Sequence, residues 1–190
     1  MAVPITAYAL SLNEAKQIRA VMESVKWAEE IILVDSFSTD GTVEIAREYK
    51  ARIISEKFAG FGKLRNLALD AASHDWILSI DADERCTPEL AEEIRAELKS
   101  PRFDAYHVPR KSHFLGHWMR HCGWYPDYRQ PQFFNRTKMR YREELVHESY
   151  DLNGRLGHLQ QHALQYPWPT IEAATAKLQR YSTLMAQRYA

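Results

Sequence analysis

Three carboxylates stand within four residues at the end of an apolar run, in "WILSIDADER" (residues 76–85). Asp81, Asp83 and Glu84 repel one another, and they are costly to desolvate unless a positive group lies on them. Because side chains alternate along an extended segment, Asp81 and Asp83 point to one side with the small Ala82 between them. Two hard oxygen ligands at this spacing suit Mg²⁺ or Mn²⁺, which complete their shell with phosphate oxygens and water. The alternative is a solvated acidic loop in which Glu84 caps the next helix.

Asp35 ends a second β-branched run, "IILVD". In open α/β sheets, ligands bind outside the carboxyl ends of the strands, so we expect Asp35 and Asp81 to face a common crevice at adjacent strand ends. A single aspartate after a strand more often only begins a turn, here "DSFSTDG". The acidic cluster at the other strand end favours the ligand-binding interpretation.

The elements that must position these carboxylates alternate between short apolar runs and segments of helical period. This pattern predicts an α/β fold of βα units around a mainly parallel sheet. The predicted strands are "ITAYAL", "EIILVD", "ARIIS" and "WILSI", and the predicted helices begin near Asn13, in "STDGTVEIARE", in "GKLRNLALDAA" and at Thr87–Pro88. Past Pro101 only "DAYHV" resembles a strand, so we expect an irregular, site-forming second half before a last helix in "TIEAATAKLQRYSTLMAQRYA".

Composition limits the class of protein. The chain has 190 residues, 45% hydrophobic and 26% charged, which predicts one globular domain over residues 1–190. Lys and Arg balance Asp and Glu at 25 each, so no net charge attracts nucleic acid. Two cysteines without metal-ligand spacing, and no leader-like or membrane-spanning segment, predict a soluble cytoplasmic protein with free thiols.

The ordered set "LSLNEAKQI", "VDSFSTDGT", "GKLRNLAL" and "ILSIDADE" resembles the GT-A glycosyltransferases of family 2, over roughly the first half to two thirds of the chain. The continuation "GHWMRHCGWYPDYRQPQFFNR" and "LVHE" resembles the bacterial subgroup of lipopolysaccharide-core β-1,4-glucosyltransferases. The resemblance implies a GT-A, Rossmann-like fold and a divalent metal. It also implies inverting transfer of a hexose, glucose in that subgroup, from a UDP-sugar to a saccharide or lipid-linked acceptor in cell-envelope polysaccharide biosynthesis. Residues 1–100 would bind the nucleotide sugar, and residues 101–190 would bind the acceptor and carry out catalysis.

The resemblance also assigns roles to the donor side. Asp35 would accept hydrogen bonds from the base, while cations and amides at the start of a helix would meet the ribose and diphosphate. The implied donor-binding residues are Leu12, Asn13, Glu14, Asp35, Lys63, Arg65, Asn66 and Asp81. Asn13 could otherwise be a helix cap, and Lys63 part of a solvated helix face. Asp83 would bind the metal, Asp81 would contact the ribose or the metal, and His162 is favoured over His147 as a third ligand. A lone histidine is more often a core or surface residue.

Inverting transfer needs a carboxylate that removes the proton of the acceptor hydroxyl. The family places its base after a strand in the later half, so Glu148 in "VHES" is the first candidate and Asp127 in "WYPDYR" the second; the Glu-Asp pair of many relatives is absent here. Aromatic faces stack on sugar rings, so an acceptor platform is predicted, with core packing as the alternative, at Trp118, Trp124, Tyr125 and Tyr128. The last helix is expected either to pack on the domain or to lie peripherally on the cytoplasmic face of the inner membrane.

Two other functions fit parts of the pattern. Phosphatases of the haloacid dehalogenase type also use Asp-x-Asp, but on their first strand and with Thr or Val where this chain has Arg85. A non-catalytic nucleotide-sugar sensor would keep Asp35 and Asp81 without needing Glu148. Release of nucleoside diphosphate would separate an enzyme from such a sensor.

Overall fold

The computed structural model describes residues 3–143 and 149–189 and assigns helices and strands throughout these ranges. The helices are α1 (Ala15–Val25), α2 (Thr42–Glu48), α3 (Phe61–Ala71), α4 (Pro88–Lys99) and α5 (Ile171–Tyr189). The strands of the first half are β1 (Ile5–Ser11), β2 (Glu30–Asp35), β3 (Arg52–Ser55), β4 (Trp76–Ser79) and β5 (Glu84–Cys86). Those of the second half are β6 (Ala105–His107), β7 (Arg110–Phe114), β8 (His117–Trp118), β9 (Phe133–Asn135), β10 (Met139–Tyr141), β11 (Tyr150–Leu152), β12 (Leu156–His158) and β13 (Ala163–Trp168).

A seven-stranded sheet in the order β12-β6-β9-β4-β1-β2-β3 forms the centre of the fold. Strands β4, β1, β2 and β3 are parallel, whereas β9 runs antiparallel between β4 and β6. The parallel strands carry helices on both faces, which is why β1, β2 and β4 are near-continuous apolar runs. The predicted α/β class and its four strands are confirmed.

The helices bury the faces that their periodicity predicts. In α1 the buried residues are Ile18, Val21, Met22 and Val25, and in α4 they include Leu90, Ile94 and Leu98. Thr87 caps α4, because its hydroxyl accepts a hydrogen bond from the Leu90 amide at 3.2 Å, and Pro88 takes the first helical position. Two apolar clusters result, one under α1 and α4 and the other under α3.

The start of α1 differs from the prediction. Asn13 is not its cap, since the helix begins at Ala15 and no side chain caps it. Asn13 has a positive φ of 58°, and its side-chain oxygen accepts a hydrogen bond from the Thr39 amide at 2.9 Å. The Ala15 amide donates to the Asp40 carboxylate at 3.0 Å. The loops that follow β1 and β2 are therefore bonded to each other.

The second half is more regular than expected. It adds a four-stranded sheet in the order β5-β13-β7-β8 and a two-stranded sheet of β10 and β11. Most of these strands have two or three residues, so no alternation of apolar side chains can reveal them. Residues 119–132, between β8 and β9, contain neither helix nor strand, as predicted for this aromatic segment.

Helix α5 forms where the sequence predicts it. Its apolar residues Ile171 and Leu178 are 55% and 72% exposed, so they do not pack into the core. Lys177 is half-buried and turns toward the fold. Among the helices in the described ranges, none combines the length and the apolar character that crossing a membrane requires.

Candidate functional site

The two predicted carboxylate positions flank the central strand β1. Asp35 ends β2 on one side of β1, and Asp81 follows β4 on the other. The expectation of adjacent strand ends is therefore wrong by one strand. The strand order reverses at β1, and such a switch point is where ligands enter open α/β sheets.

Asp81 is held from two directions. Its carboxylate accepts a hydrogen bond from Arg65 Nη2 at 2.8 Å, and its amide donates to the Glu84 carboxylate at 2.9 Å. Burial alone would raise the pKa of Asp81, but the positive charges of Arg65, Arg110 and Lys177 outweigh it and lower the pKa. Asp81 is therefore an ionised carboxylate at neutral pH.

Residues 81–83 form the acidic turn between β4 and β5, and Glu84, which follows directly, is fully buried. Its carboxylate accepts hydrogen bonds from Arg110 Nε at 2.6 Å and from Gln132 Nε2 at 2.7 Å, in addition to the amide of Asp81. Burial and the nearby Asp81 and Asp83 carboxylates raise the pKa of Glu84 to about 7, against the opposite effect of Arg110. The helix-cap alternative for Glu84 is wrong, since it instead joins the acidic turn to β7 and to the segment before β9.

Asp83 lies in a turn closed by the hydrogen bond from the Glu84 amide to the Asp81 carbonyl at 2.9 Å, so the predicted extended segment with alternating side chains is wrong, and Asp83 faces the C-terminal elements. Its carboxylate lies 3.0 Å from Lys177 Nζ of α5 and 3.5 Å from Gln165 Nε2 of β13. Its carbonyl accepts a hydrogen bond from the Tyr166 amide at 2.7 Å. β13 and α5 therefore border the acidic turn, which the sequence did not indicate.

The three candidates at the start of α3 have different surroundings. Arg65 is 4% exposed and, besides bonding Asp81, donates to Ser79 Oγ at 2.9 Å. The amide group of Asn66 is committed to the backbone of Tyr141, to which it donates at 2.8 Å and from which it accepts at 3.1 Å. Lys63 is exposed. Of the three, the structure brings Arg65 to the acidic turn.

Gly62 brings the first turn of α3 against the chain that leads to residues 144–148. A Cβ at this position would lie 1.9 Å from the carbonyl oxygen of Arg142. Only glycine permits this approach without displacing the backbone. The candidate base Glu148 and the alternative metal ligand His147 lie outside the described residues.

The predicted base-binding residue Asp35 is 1% exposed. Its carboxylate accepts hydrogen bonds from Ser11 Oγ at 2.7 Å, from the Ser38 amide at 2.8 Å and from Ser38 Oγ. These bonds fix its orientation at the end of β2. Leu12 and Glu14, which follow β1, are half-buried, and Asn13 is exposed.

Asp81 and Asp83 supply hard oxygen ligands of the kind Mg²⁺ and Mn²⁺ prefer. Within residues 3–143 and 149–189, no cluster of three or more His, Cys, Asp and Glu side chains could by itself hold a metal ion. His162 therefore does not form such a cluster with the two aspartates, and its Nε2 lies 2.7 Å from the Tyr125 hydroxyl instead. Two carboxylates nevertheless suffice for a cation whose remaining ligands are phosphate oxygens and water.

The second base candidate, Asp127, is surrounded by arginines. Its carboxylate lies 3.0 Å from Arg129 Nε and 3.9 Å from Arg110 Nη1. Arg110 Nη1 also donates to the Asp127 carbonyl at 3.1 Å. Arg110 therefore connects the Asp127 segment to Glu84 and, through it, to the acidic turn.

The four aromatic candidates form three separate pairs. Trp118 and Tyr125 meet at 5.7 Å between ring centroids, Trp124 packs on Trp168 at 5.2 Å, and Tyr128 packs on His158 at 4.7 Å. Tyr125 and Tyr128 are exposed, whereas Trp118 and Trp124 are half-buried. A role in acceptor binding stays a prediction for all four.

Comparisons with known proteins agree on one family. Residues 10–154 match the family described as Glycosyl transferase family 2. The chain is 29% identical to the lipopolysaccharide core biosynthesis glycosyltransferase LpsC of Rhizobium meliloti (strain 1021), covering 97% of this chain and 71% of that protein. It is 40% identical to an uncharacterized glycosyltransferase of Rickettsia bellii (strain RML369-C), in an alignment that covers 54% of this chain and 35% of that protein.

A solved structure shows the same fold. The chain resembles S. aureus TarS 1-349 in complex with UDP-GlcNAc with a TM-score of 0.66 at 16% identity, covering 91% of this chain and 61% of TarS 1-349. At this level of identity, the likeness concerns the fold alone.

Proposed function

The chain belongs to glycosyl transferase family 2, and on that premise we propose that it is a metal-dependent, inverting hexosyltransferase domain that uses a UDP-sugar, with glucose as the transferred sugar. The acceptor is a saccharide or a lipid-linked saccharide of cell-envelope polysaccharide biosynthesis. The similarity to LpsC, which is named for lipopolysaccharide core biosynthesis, supports the acceptor class. The GT-A fold shared with TarS, solved with UDP-GlcNAc, supports the donor class.

The arrangement of the acidic turn carries this proposal. Asp81 and Asp83 follow β4 beside the central strand, where the strand order reverses. The cations around them lower the pKa of Asp81, and the ammonium of Lys177 lies 3.0 Å from the Asp83 carboxylate on the side of the C-terminal elements. The residues present therefore fit a divalent cation held by Asp81 and Asp83.

Each residue then has a defined task. The bound cation would stabilise the charge of the leaving diphosphate. Arg65, buried and bonded to Ser79, keeps the Asp81 carboxylate oriented, while Asp35, bonded to Ser11 and Ser38, would accept a hydrogen bond from the base of the nucleotide. Glu148 takes the proton from the acceptor hydroxyl on the opposite face of the sugar, with Asp127 as the second candidate.

The family assignment removes the haloacid dehalogenase alternative. A nucleotide-sugar-binding module without catalysis remains as an outcome of the experiment. A lipid-linked acceptor would bring the domain to the cytoplasmic face of the inner membrane, with the exposed Ile171 and Leu178 of α5 as the residues available for peripheral contact.

The test measures UDP binding by calorimetry in Mn²⁺ and in excess chelator. Wild-type affinity should fall in chelator, and Asp83→Ala should bind UDP weakly and equally in both buffers. Asp75→Ala, which removes an exposed carboxylate just before β4, is the matched control and should behave as wild type. Equal wild-type affinity in both buffers would refute metal dependence. Binding without release of UDP from UDP-glucose, tested across saccharide acceptors, would favour the binding module.

A further inference from the structure

Lys177 of α5 places a positive charge on the candidate metal ligand Asp83. Its Nζ lies 3.0 Å from the Asp83 carboxylate, and the two side chains are 37% and 16% exposed. Lys177 also contributes to the lowered pKa of Asp81, so its charge acts on both aspartates. No role for Lys177 follows from the family motifs in the first half of the chain.

The cations around the acidic turn differ in their freedom to move. Arg65 and Arg110 are 4% and 3% exposed, and each is fixed by several hydrogen bonds. Lys177 instead has a flexible four-carbon stem and stands on a helix whose neighbouring residue Leu178 is 72% exposed. An ammonium on such a stem is a mobile point charge that exchanges partners more readily than a buried guanidinium.

The helix that carries Lys177 is nevertheless anchored beside the turn. β13 pairs with β5 immediately after the acidic residues, and the Tyr166 amide donates to the Asp83 carbonyl at 2.7 Å. Helix α5 begins shortly after β13, at Ile171. Lys177 therefore stands on an element that is held close to the acidic turn.

The local charges determine when this transfer is favourable. Arg65 pairs with Asp81, Arg110 with Glu84 and Lys177 with Asp83, so each carboxyl group has a cationic partner when no ligand is bound. A divalent cation on Asp83 would repel Lys177, since like charges at close range are unfavourable. A diphosphate bound to that cation offers Lys177 new anionic oxygens.

We propose that Lys177 is a donor-phosphate-binding residue whose ammonium rests on Asp83 in the absence of ligands, yields Asp83 to a divalent cation, and then pairs with the diphosphate of the donor. This inference rests on the proposed function, because it requires a cation and a nucleoside diphosphate at the acidic turn. It adds a residue of the C-terminal helix to a donor site otherwise built from the first half of the chain.

The experiment measures two affinities of Lys177→Met. Binding of Mn²⁺ alone is followed by electron paramagnetic resonance, and binding of UDP at saturating Mn²⁺ by calorimetry. Loss of the competing ammonium should raise the Mn²⁺ affinity about fivefold, while loss of the phosphate contact should lower the UDP affinity about fivefold, as expected for a partly exposed ion pair. Lys177→Arg keeps the charge and should recover most of the UDP affinity.

Two features make the experiment decisive: a matched control variant, and the opposite expected changes in the Mn²⁺ and UDP affinities of Lys177→Met. Lys26→Met removes the same charge from an exposed pair with Glu23 and should change neither affinity. If wild type binds Mn²⁺ and UDP but Lys177→Met changes neither affinity, or lowers both, the inference is overturned while the proposed function stands. If wild type binds neither Mn²⁺ nor UDP, the proposed function fails and the inference with it.

Discussion

Replacing Arg110 by methionine should destabilise the protein strongly, because it leaves the Glu84 carboxylate without a cation. Both side chains are inaccessible, at 3% and 0% exposure, and are joined by a hydrogen bond of 2.6 Å. Removing one partner of such a pair costs about 3–5 kcal/mol, because Glu84 must then either stay charged in the core or, since its pKa of about 7 rises further without the arginine, take up a proton and lose its ionic hydrogen bond. The bond from Arg110 Nη1 to the Asp127 carbonyl at 3.1 Å is lost as well.

The double variant Glu84→Gln, Arg110→Met should lose far less unfolding free energy than the two single variants lose in total. Glutamine can still accept a hydrogen bond from the Asp81 amide, and neither buried charge remains. Replacement of a whole buried pair by uncharged groups is often close to neutral, so we expect a loss of about 2 kcal/mol or less. The coupling between the two positions should therefore be about 3 kcal/mol or more.

Urea denaturation of wild type, both single variants and the double variant gives the four free energies of unfolding. Arg19→Met is the matched control, because it removes an arginine from the exposed pair with Glu48 and should cost far less stability than Arg110→Met. Single variants that each cost under about 1 kcal/mol, or that add without coupling, would refute the view that this pair holds the turn.

Three further predictions concern the base, the aromatic segment and acid stability. Glu148→Gln should bind UDP normally while transfer falls by roughly two to four orders of magnitude, and near-normal turnover would reassign the base. Trp124→Ala removes the packing on Trp168 and should raise the acceptor KM with unchanged UDP affinity. If the variant instead loses about 3–5 kcal/mol of unfolding free energy and also loses nucleotide binding, Trp124 belongs to the core. Burial alone would raise the pKa of Glu97, but hydrogen bonds from Arg102 and Tyr106 lower it below 4.5. The ionised Glu97 therefore stabilises the fold above pH 4.5, and this stabilisation is lost as the pH falls through the pKa of the folded state. Glu97→Gln should therefore flatten the dependence of the free energy of unfolding on pH below about 4.5, and unchanged acid sensitivity would contradict this assignment.

The first half of the fold could be predicted because its signals are local. A strand buried on both faces shows as a continuous apolar run, as in β2, and a helix start shows in its cap, as at Thr87. Short strands such as β8 form through pairing with distant segments and leave no such signal. Asn13 looked like a cap because its residue type favours that position, but the bond to Thr39 decided its conformation.

The acidic turn could also be predicted, whereas the cationic residues that bind it could not. Asp81 and Asp83 are recognisable by type and spacing, but Arg110 is 26 residues from Glu84, and Lys177 is 94 residues from Asp83. Periodicity carries no information about pairing over such separations. An acidic residue in a buried strand requires a compensating cationic partner, so Glu84 was the one signal in the sequence that a partner such as Arg110 must exist.

The segment of residues 119–132 is attached to Arg110 through two of its main-chain carbonyls. Arg110 bonds the carbonyls of Pro126 and Asp127, through its amide at 2.9 Å and its guanidinium at 3.1 Å, and β9 then enters the central sheet beside β4. Every amino acid supplies the same carbonyl, and added loop length costs little closure entropy. These two anchoring contacts therefore do not depend on the side chains at positions 126 and 127, and in the acceptor-binding role predicted for the segment those positions can vary without loss of the contacts.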